Sequence, residues 1–259
     1  MLSISRPSLN ERPAISWPEG KRFAFTVFDD TDLATVQNVG PVYEFLEKNG
    51  FRTTKSVWPL EGRHSSKFGG STCGEADYRE WVLGLKDRGF EIGLHNATHH
   101  SSTREECRAG IEQFSKYFGQ PPSVHANHYD CADAIYWGPH RFTGVNRMAY
   151  TLLTKGSHSN QFQGHLESSP YFWGDICRER LRYVRDFVFT NINTLGECPY
   201  MPYHDNERPY VNRWFASSEG ANVDLFVDMI SAKNQDQLVR EGGACIMYTH
   251  FASGFYRGG

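Results

Sequence analysis

The stretch Arg22-Phe23-Ala24-Phe25-Thr26-Val27-Phe28-Asp29-Asp30 decides how the chain reads. Aromatic and β-branched residues over 22–28 make a strand that ends in two carboxylates. A helical pattern follows over 35–48, stopped by Asn49-Gly50. A second strand is expected over 51–60, and the glycine-rich stretch 61–74 reads as a loop. A helix over 77–88 then leads to Phe90-Glu91-Ile92-Gly93-Leu94, a short strand delivering His95. Thr103 with Glu106 forms the capping box of another helix, which ends near Gly119. Ser123-Val124-His125-Ala126-Asn127 reads as a strand. Beyond it we expect a helix over 173–183, a strand over 187–192, a long helix over 222–240 and a strand over 244–249. Strands alternating with helices predict an α/β fold with a mostly parallel sheet. Six or seven such units in about 250 residues fit a barrel better than an open sheet, and no glycine-rich phosphate loop follows the first strand. In such barrels the site lies at the C-terminal ends of the strands. Asp29-Asp30, His95 to His99, His125 to His128, and His250 all fall there.

Composition narrows the classes. The 259 residues are 39% hydrophobic, enough for a full core, so a disordered or low-complexity chain is excluded. The formal net charge is -3, and the stretch 178–185, with four arginines, reads as a solvated helix end and strand start, so no nucleic-acid partner is expected. No run of 18 apolar residues predicts a transmembrane segment. Six cysteines stand singly, without a disulfide framework. Together with the lack of an apolar leader they point to the cytoplasm. We read one domain over 1–259, with an N-terminal extension over 1–20 and room for a continuation beyond Gly259. Nothing sets an oligomeric state.

His95 and His99 are four apart, so both imidazoles would share one face if the segment turned helically. Two neutral nitrogens and one carboxylate, from Asp29 or Asp30, would make a three-ligand metal site with room for water. The same donor types serve iron oxygenases, but those sit on jelly-roll strands, not on alternating strands and helices.

These segments resemble motifs of the polysaccharide deacetylases (NodB homology, carbohydrate esterase family 4). Thr26-Val27-Phe28-Asp29-Asp30 is similar to the family's TFDDG. Glu91 through His99 resembles EIGnH[ST]xxH, and Ile246-Met247-Tyr248-Thr249-His250 resembles the hydrophobic strand ending in His. The order agrees from about residue 22 to 250. The resemblance implies a distorted (β/α)7 barrel and a metal-dependent hydrolase that removes N-acyl groups from amino sugars. It implies Asp29 as general base, His250 as general acid, and Asp30, His95 and His99 as ligands of a divalent metal. That metal is zinc first, with cobalt, nickel, manganese or iron as alternatives. The family's RPPYG is replaced by His125-Ala126-Asn127-His128-Tyr129. The arginine that would hold the base is therefore missing, and His125 and His128 become the orienting or oxyanion candidates. Tyr129, Trp173 and Trp214 are the candidates for contacting a carbohydrate substrate. With no export signal visible, the expected substrate is an intracellular precursor in surface-polysaccharide (O-antigen or capsule type) synthesis. The alternatives are a deformylase, a non-sugar amide or cyclic imide hydrolase, and a metal-retaining barrel that only binds carbohydrate.

Overall fold

A computed structural model describes residues 15–156 and 161–257. The first fourteen positions of the expected N-terminal extension, and any continuation past Gly259, lie outside the described residues. Seven parallel strands close into a barrel in chain order: β1 (Ala24–Asp29), β2 (Thr54–Val57), β3 (Glu91–Leu94), β4 (Val124–His125), β5 (Tyr183–Phe189), β6 (Arg213–Ser218) and β7 (Ala244–Thr249). β7 pairs with β1 from Ala24↔Ala244 to Asp29↔Thr249, and this register closes the ring. The expected seven-stranded α/β barrel is the observed fold. It is distorted where β4 contributes only two residues and where the β5–β6 register slips between Arg185 and Val188.

Among the described residues eight α-helices lie between the strands: α1 (Val36–Lys48), α2 (Ala76–Asp87), α3 (Arg104–Phe118), α4 (Gly144–Leu153), α5 (Gly174–Arg180), α6 (Thr194–Glu197), α7 (Val223–Met229) and α8 (Ala232–Glu241). Caps account for several starts. Thr103 accepts from the Glu106 N–H while Glu106 accepts from the Thr103 N–H, so the expected capping box opens α3. Thr35 and Asn38 do the same for α1.

Alternation along each strand sorts side chains between two cores. Phe28, Val124 and Phe215 fill the barrel interior. Val27, Val57, Leu94, Val184, Trp214 and Met247 face the helical layer, where most of the core lies. The alternation continues past the apolar residues. Asp29 follows Val27 outward and Asp30 follows Phe28 inward.

Asp29 is fully buried under the helices. Its Oδ2 accepts from Lys55 Nζ and from Tyr43 Oη, both at 2.9 Å, and its Oδ1 accepts from the Phe251 N–H at 2.8 Å. Burial discourages the Lys55 ammonium, but Asp29 outweighs it and raises the lysine above its ordinary range. This carboxylate ties β1 to α1, to β2 and to the turn after β7.

Four expectations shift. β5 begins at Tyr183, inside the expected helix, because α5 stops at Arg180. The strand β6 was not anticipated: Arg213-Trp214-Phe215-Ala216-Ser217-Ser218 has no β-branched residue, and pairing with β5 and β7 makes it a strand. The helix expected over 222–240 is two, since Ser231 takes an extended conformation (φ -53, ψ 152) and starts a new helix. The stretch over 178–185 is not wholly solvated, for Arg185 is 3% exposed. The six cysteines are free thiols. Among the described residues no helix is long and apolar enough to cross a membrane.

Two predictions follow from buried charge. Lys55→Met leaves the Asp29 carboxylate buried without its cation. We expect a loss of about 3–5 kcal/mol in urea unfolding, partly recovered in the Lys55→Met/Asp29→Leu double variant. His125 packs edge-on against Trp173 at 5.4 Å, and burial lowers its imidazole to about 3. The unfolded chain takes up that proton below about pH 6.5, whereas the folded chain refuses it. Stability from neutral His125 is therefore complete above about pH 6.5 and is lost as pH falls towards 3. Between pH 7 and pH 5 we expect a loss of about 2 kcal/mol in unfolding measured with EDTA present, absent from His125→Leu.

Candidate metal centre and active-site cavity

The mouth of the barrel gathers Asp30, Asp32, His95, Asn127, Tyr129, Trp137, Arg141, Arg185, Val188, Tyr248 and His250 around a cavity of about 190 Å³. Its floor is a carboxylate shared by three imidazoles. Asp32 Oδ2 lies 3.0 Å from His95 Nε2 and 3.4 Å from His250 Nε2, and Asp32 Oδ1 lies 3.1 Å from His128 Nδ1. His95 Nε2 and His128 Nδ1 are themselves 3.2 Å apart.

Local turns bring these groups together. Beyond β1 the Ala34 N–H donates to the Thr31 carbonyl, with Leu33 left-handed at φ 59, and the chain doubles back so that Asp32 faces the mouth. Asn96, also left-handed at φ 59, accepts the His128 N–H at 3.0 Å and donates to Asp133 at 2.8 Å. Asn tolerates this backbone region better than most residues. The amide thus pins the loop carrying His128 to the end of β3.

Asp32, His95 and His128 fit a metal ion. Bonds of about 2.0–2.1 Å in a tetrahedral site put neighbouring donor atoms about 3.3 Å apart. The observed separations, 3.0 Å from Asp32 Oδ2 to His95 Nε2, 3.1 Å from Asp32 Oδ1 to His128 Nδ1 and 3.2 Å between the two nitrogens, are close to that, with the carboxylate presenting one oxygen to each imidazole. Each ring nitrogen faces its own oxygen of the Asp32 carboxylate, and a cation could take the place of the protons that otherwise join them. Asp30, Asp32 and His250 also bring one donor atom each within 4.8 Å of one another.

The second carboxylate has a different partner. Arg185, from β5, grips Asp30 with both terminal nitrogens, Nη1 to Oδ1 at 3.0 Å and Nη2 to Oδ2. Burial works against ionisation of Asp30, but Arg185 and then His95 prevail and hold its carboxyl below the usual range. Burial likewise opposes ionisation of Asp32, and His95, His128 and His250 drive it well below that range. His250 sits between Asp32 and the Ala221 carbonyl, 2.8 Å from its Nδ1. Burial would lower this imidazole, yet Asp32 and Asp30 raise it to about 9.

Set beside the expected site, the geometry rearranges the parts. His95 and His250 line the cavity, but Asp29 lies in the helical layer with its oxygens occupied. Asp30 meets an arginine and, at 3.9 Å, His95 Nδ1. His99 belongs to neither metal-capable group. The segment after β3 is a bend rather than a helix, since α3 starts only at Arg104, so the four-residue spacing does not put His95 and His99 on one face. His99 instead lies against Trp58 at 5.6 Å. His125 faces the helices, and its Nε2 is 3.2 Å from Asn127 Oδ1. Tyr129 lines the cavity, whereas Trp173 and Trp214 are fully buried. Sequence reasoning missed Asp32, Arg185 and Arg141. Counting the period-two alternation through Phe28 would have put Asp30 inside. Nothing local marks Arg185, which is 155 residues from its partner.

No protein-family model and no curated protein matches the chain. Among solved structures, PuuE allantoinase aligns over 93% of this chain and 82% of its own, with 11% identity and a TM-score of 0.50. A probable polysaccharide deacetylase from Pseudomonas aeruginosa PAO1 aligns over 94% and 83%, with 11% identity and a TM-score of 0.47. The Xyl-CE4 domain of a multidomain xylanase from the hindgut metagenome of Trinervitermes trinervoides aligns over 42% of this chain and about half of its own (49%), with 14% identity and a TM-score of 0.32. Carbohydrate esterase family 4 proteins are thus among the structural neighbours, and at such identities the likeness is one of fold.

The ligand assignment is open to a direct measurement. Asp32→Asn, His95→Gln and His128→Gln should each weaken zinc or cobalt binding by at least about 100-fold in calorimetric titration. His99→Gln should keep one equivalent at nearly unchanged affinity. The reverse pattern would restore His99 to the site.

Proposed function

We propose that the chain is a metal-dependent amide hydrolase that removes an N-acyl group from an amino sugar. The observation that carries this reading is the meeting, in one small cavity, of three kinds of group. They are a three-donor cluster able to hold a metal, a carboxylate locked by arginine, and a histidine held between Asp32 and the Ala221 carbonyl. Hydrolysis of an amide needs an electrophile, a proton acceptor and a proton donor within reach of one carbonyl.

In this reading Asp32, His95 and His128 hold a divalent ion, with zinc favoured by its two imidazoles and one carboxylate. Bound there, the ion supplies Lewis-acid polarisation of the acyl oxygen and makes water more acidic. Asp30, not Asp29, is the general base. Arg185 keeps it ionised and fixes the direction of its oxygens, the service that an arginine of the missing third motif was expected to give. His250 is the general acid. Its Nδ1 is anchored on the Ala221 carbonyl, and its Nε2, 3.4 Å from Asp32 Oδ2, would pass its proton to the departing amine. The amine must leave neutral, and a protonated imidazole beside Asp32 is suited to the task. Tyr248, in β7, lines the same cavity beside His250.

The cavity is smaller than the 300–1,000 Å³ common for drug-sized ligands, so a single residue or a chain end enters it more readily than the middle of a polymer. This supports a monomeric or terminal amino sugar, and an intracellular precursor of surface polysaccharide is one such substrate. A non-sugar amide or ring amide is the second reading, favoured by the same small volume and by the fold shared with an allantoinase.

Acetate release from a panel of N-acetylated amino sugars tests the proposal. We expect activity that EDTA abolishes and added zinc or cobalt restores. Asp30→Asn should lower kcat by roughly 10²–10⁴-fold. Asp29→Asn should act mainly on stability, with kcat per folded molecule within about tenfold of the parent. Equal kcat in Asp30→Asn and the parent would remove Asp30 from the reaction.

A further inference from the structure

Arg141 is the group at the cavity that the proposed chemistry leaves without a task. It ends a short 3-10 helix, Gly138–Arg141, in the long connection between β4 and β5. Its guanidinium lies flat over the Trp137 ring, 3.3 Å from the centroid, and both side chains line the cavity with Asp30 and His250. Nε and Nη2 are buried, and neither has a hydrogen-bond partner among the described residues.

Of the neighbouring charges, Asp186 keeps one oxygen, Oδ1, without a hydrogen-bond partner among the described residues. Arg185 is bound to Asp30. Asp186 Oδ2 accepts from Arg208 Nη1 at 2.8 Å and from Tyr203 Oη at 2.7 Å, and Arg208 is paired with Asp205 as well. Arg141 reaches Asp186 only at 4.0 Å, from Nε to Oδ1, beyond hydrogen-bond distance. Burial lowers the guanidinium towards about 10, Asp186 works against this, and Arg185 and Arg208 add to it, so Arg141 is still charged at neutral pH. The half-buried guanidinium thus stacks on Trp137 with only a long ion pair to Asp186, and its buried Nε and Nη2 have no acceptor among the described residues, a cost that an anion entering the cavity would relieve. Two carboxylates and two arginines line the cavity, so their charges cancel and no excess of acid there repels an anion from Arg141.

We propose that Arg141, stacked on Trp137, recognises an anionic group of the substrate, a carboxylate or phosphate carried on the amino sugar close to the amide. The planar guanidinium offers paired N–H donors that match two oxygens of such a group. The substrate class is therefore an acidic N-acyl amino sugar, either a uronic acid derivative or a sugar phosphate. This inference rests on the cavity being the substrate site proposed above.

Binding separates it from the hydrolytic reading. N-acetylglucosamine 1-phosphate, N-acetylglucosaminuronic acid and neutral N-acetylglucosamine are titrated calorimetrically into the metal-free protein in EDTA, so that a metal cannot hold the anion. We expect at least one acidic sugar to bind 30-fold or more tightly than the neutral one, and the two acidic probes tell phosphate from carboxylate. In Arg141→Gln that ratio should fall below about threefold, and Arg141→Lys should keep part of it. With metal restored, the same ratio should appear in kcat/KM, mainly through KM. Equal binding of acidic and neutral sugars by the parent protein overturns the inference whether or not the variants fold, and it would mean that Arg141 closes onto Asp186. Acidic-sugar preference without acetate release from any sugar would leave the anion site standing and remove the deacetylase reading.

Discussion

Two adjacent carboxylates at the end of β1 leave the strand on opposite faces, and each is neutralised by a buried cation from another strand. Asp29 goes outward to Lys55 of β2, and Asp30 goes inward to Arg185 of β5. An unpaired buried carboxylate is costly by several kcal/mol, so each pair is a condition of folding as well as a feature of the site. The outward pair, joined by Tyr43 and the Phe251 amide, fixes where β1 ends and where the turn after β7 begins. That turn follows His250 directly. The inward pair fixes the carboxylate that faces the cavity. The cavity end of the barrel is thus held by buried charge pairs at the end of β1.

With Asp30 committed to Arg185, the carboxylate that meets the imidazoles is another one. Asp32 supplies it from the turn beyond the strand. The turn lets a residue two positions further on re-enter the mouth, between His95 at the end of β3 and His128 in the loop after β4. The cluster therefore draws on three strand ends and their loops, the usual way a barrel assembles a site.

Much of the barrel was legible in the sequence because strand and helix periods are local. The run over 22–28, the capping box at Thr103 and Glu106, and the buried strand before His250 are each specified within a few residues. Where the reading failed, the deciding term was not local. β6 has weak strand preference and is set by its neighbours. The long helix over 222–240 is divided at Ser231. Arg178, Arg180, Arg182 and Arg185 look alike in the sequence, yet only Arg185, inward by strand parity, is fully buried against an acid.

The sequence by itself determined the alternating fold, the placing of acidic and histidine side chains at strand ends, and the inward direction of Asp30 through the parity of β1. Tertiary structure alone decided which of three aspartates meets the imidazoles, that His128 and not His99 joins His95, and that Arg185 and Arg141 turn into the cavity. The physical reason is that a metal-capable cluster is defined by distances of about 3 Å between groups far apart along the chain. Such distances depend on left-handed turns at Leu33 and Asn96 and on the shear of neighbouring strands, which motif spacing does not encode.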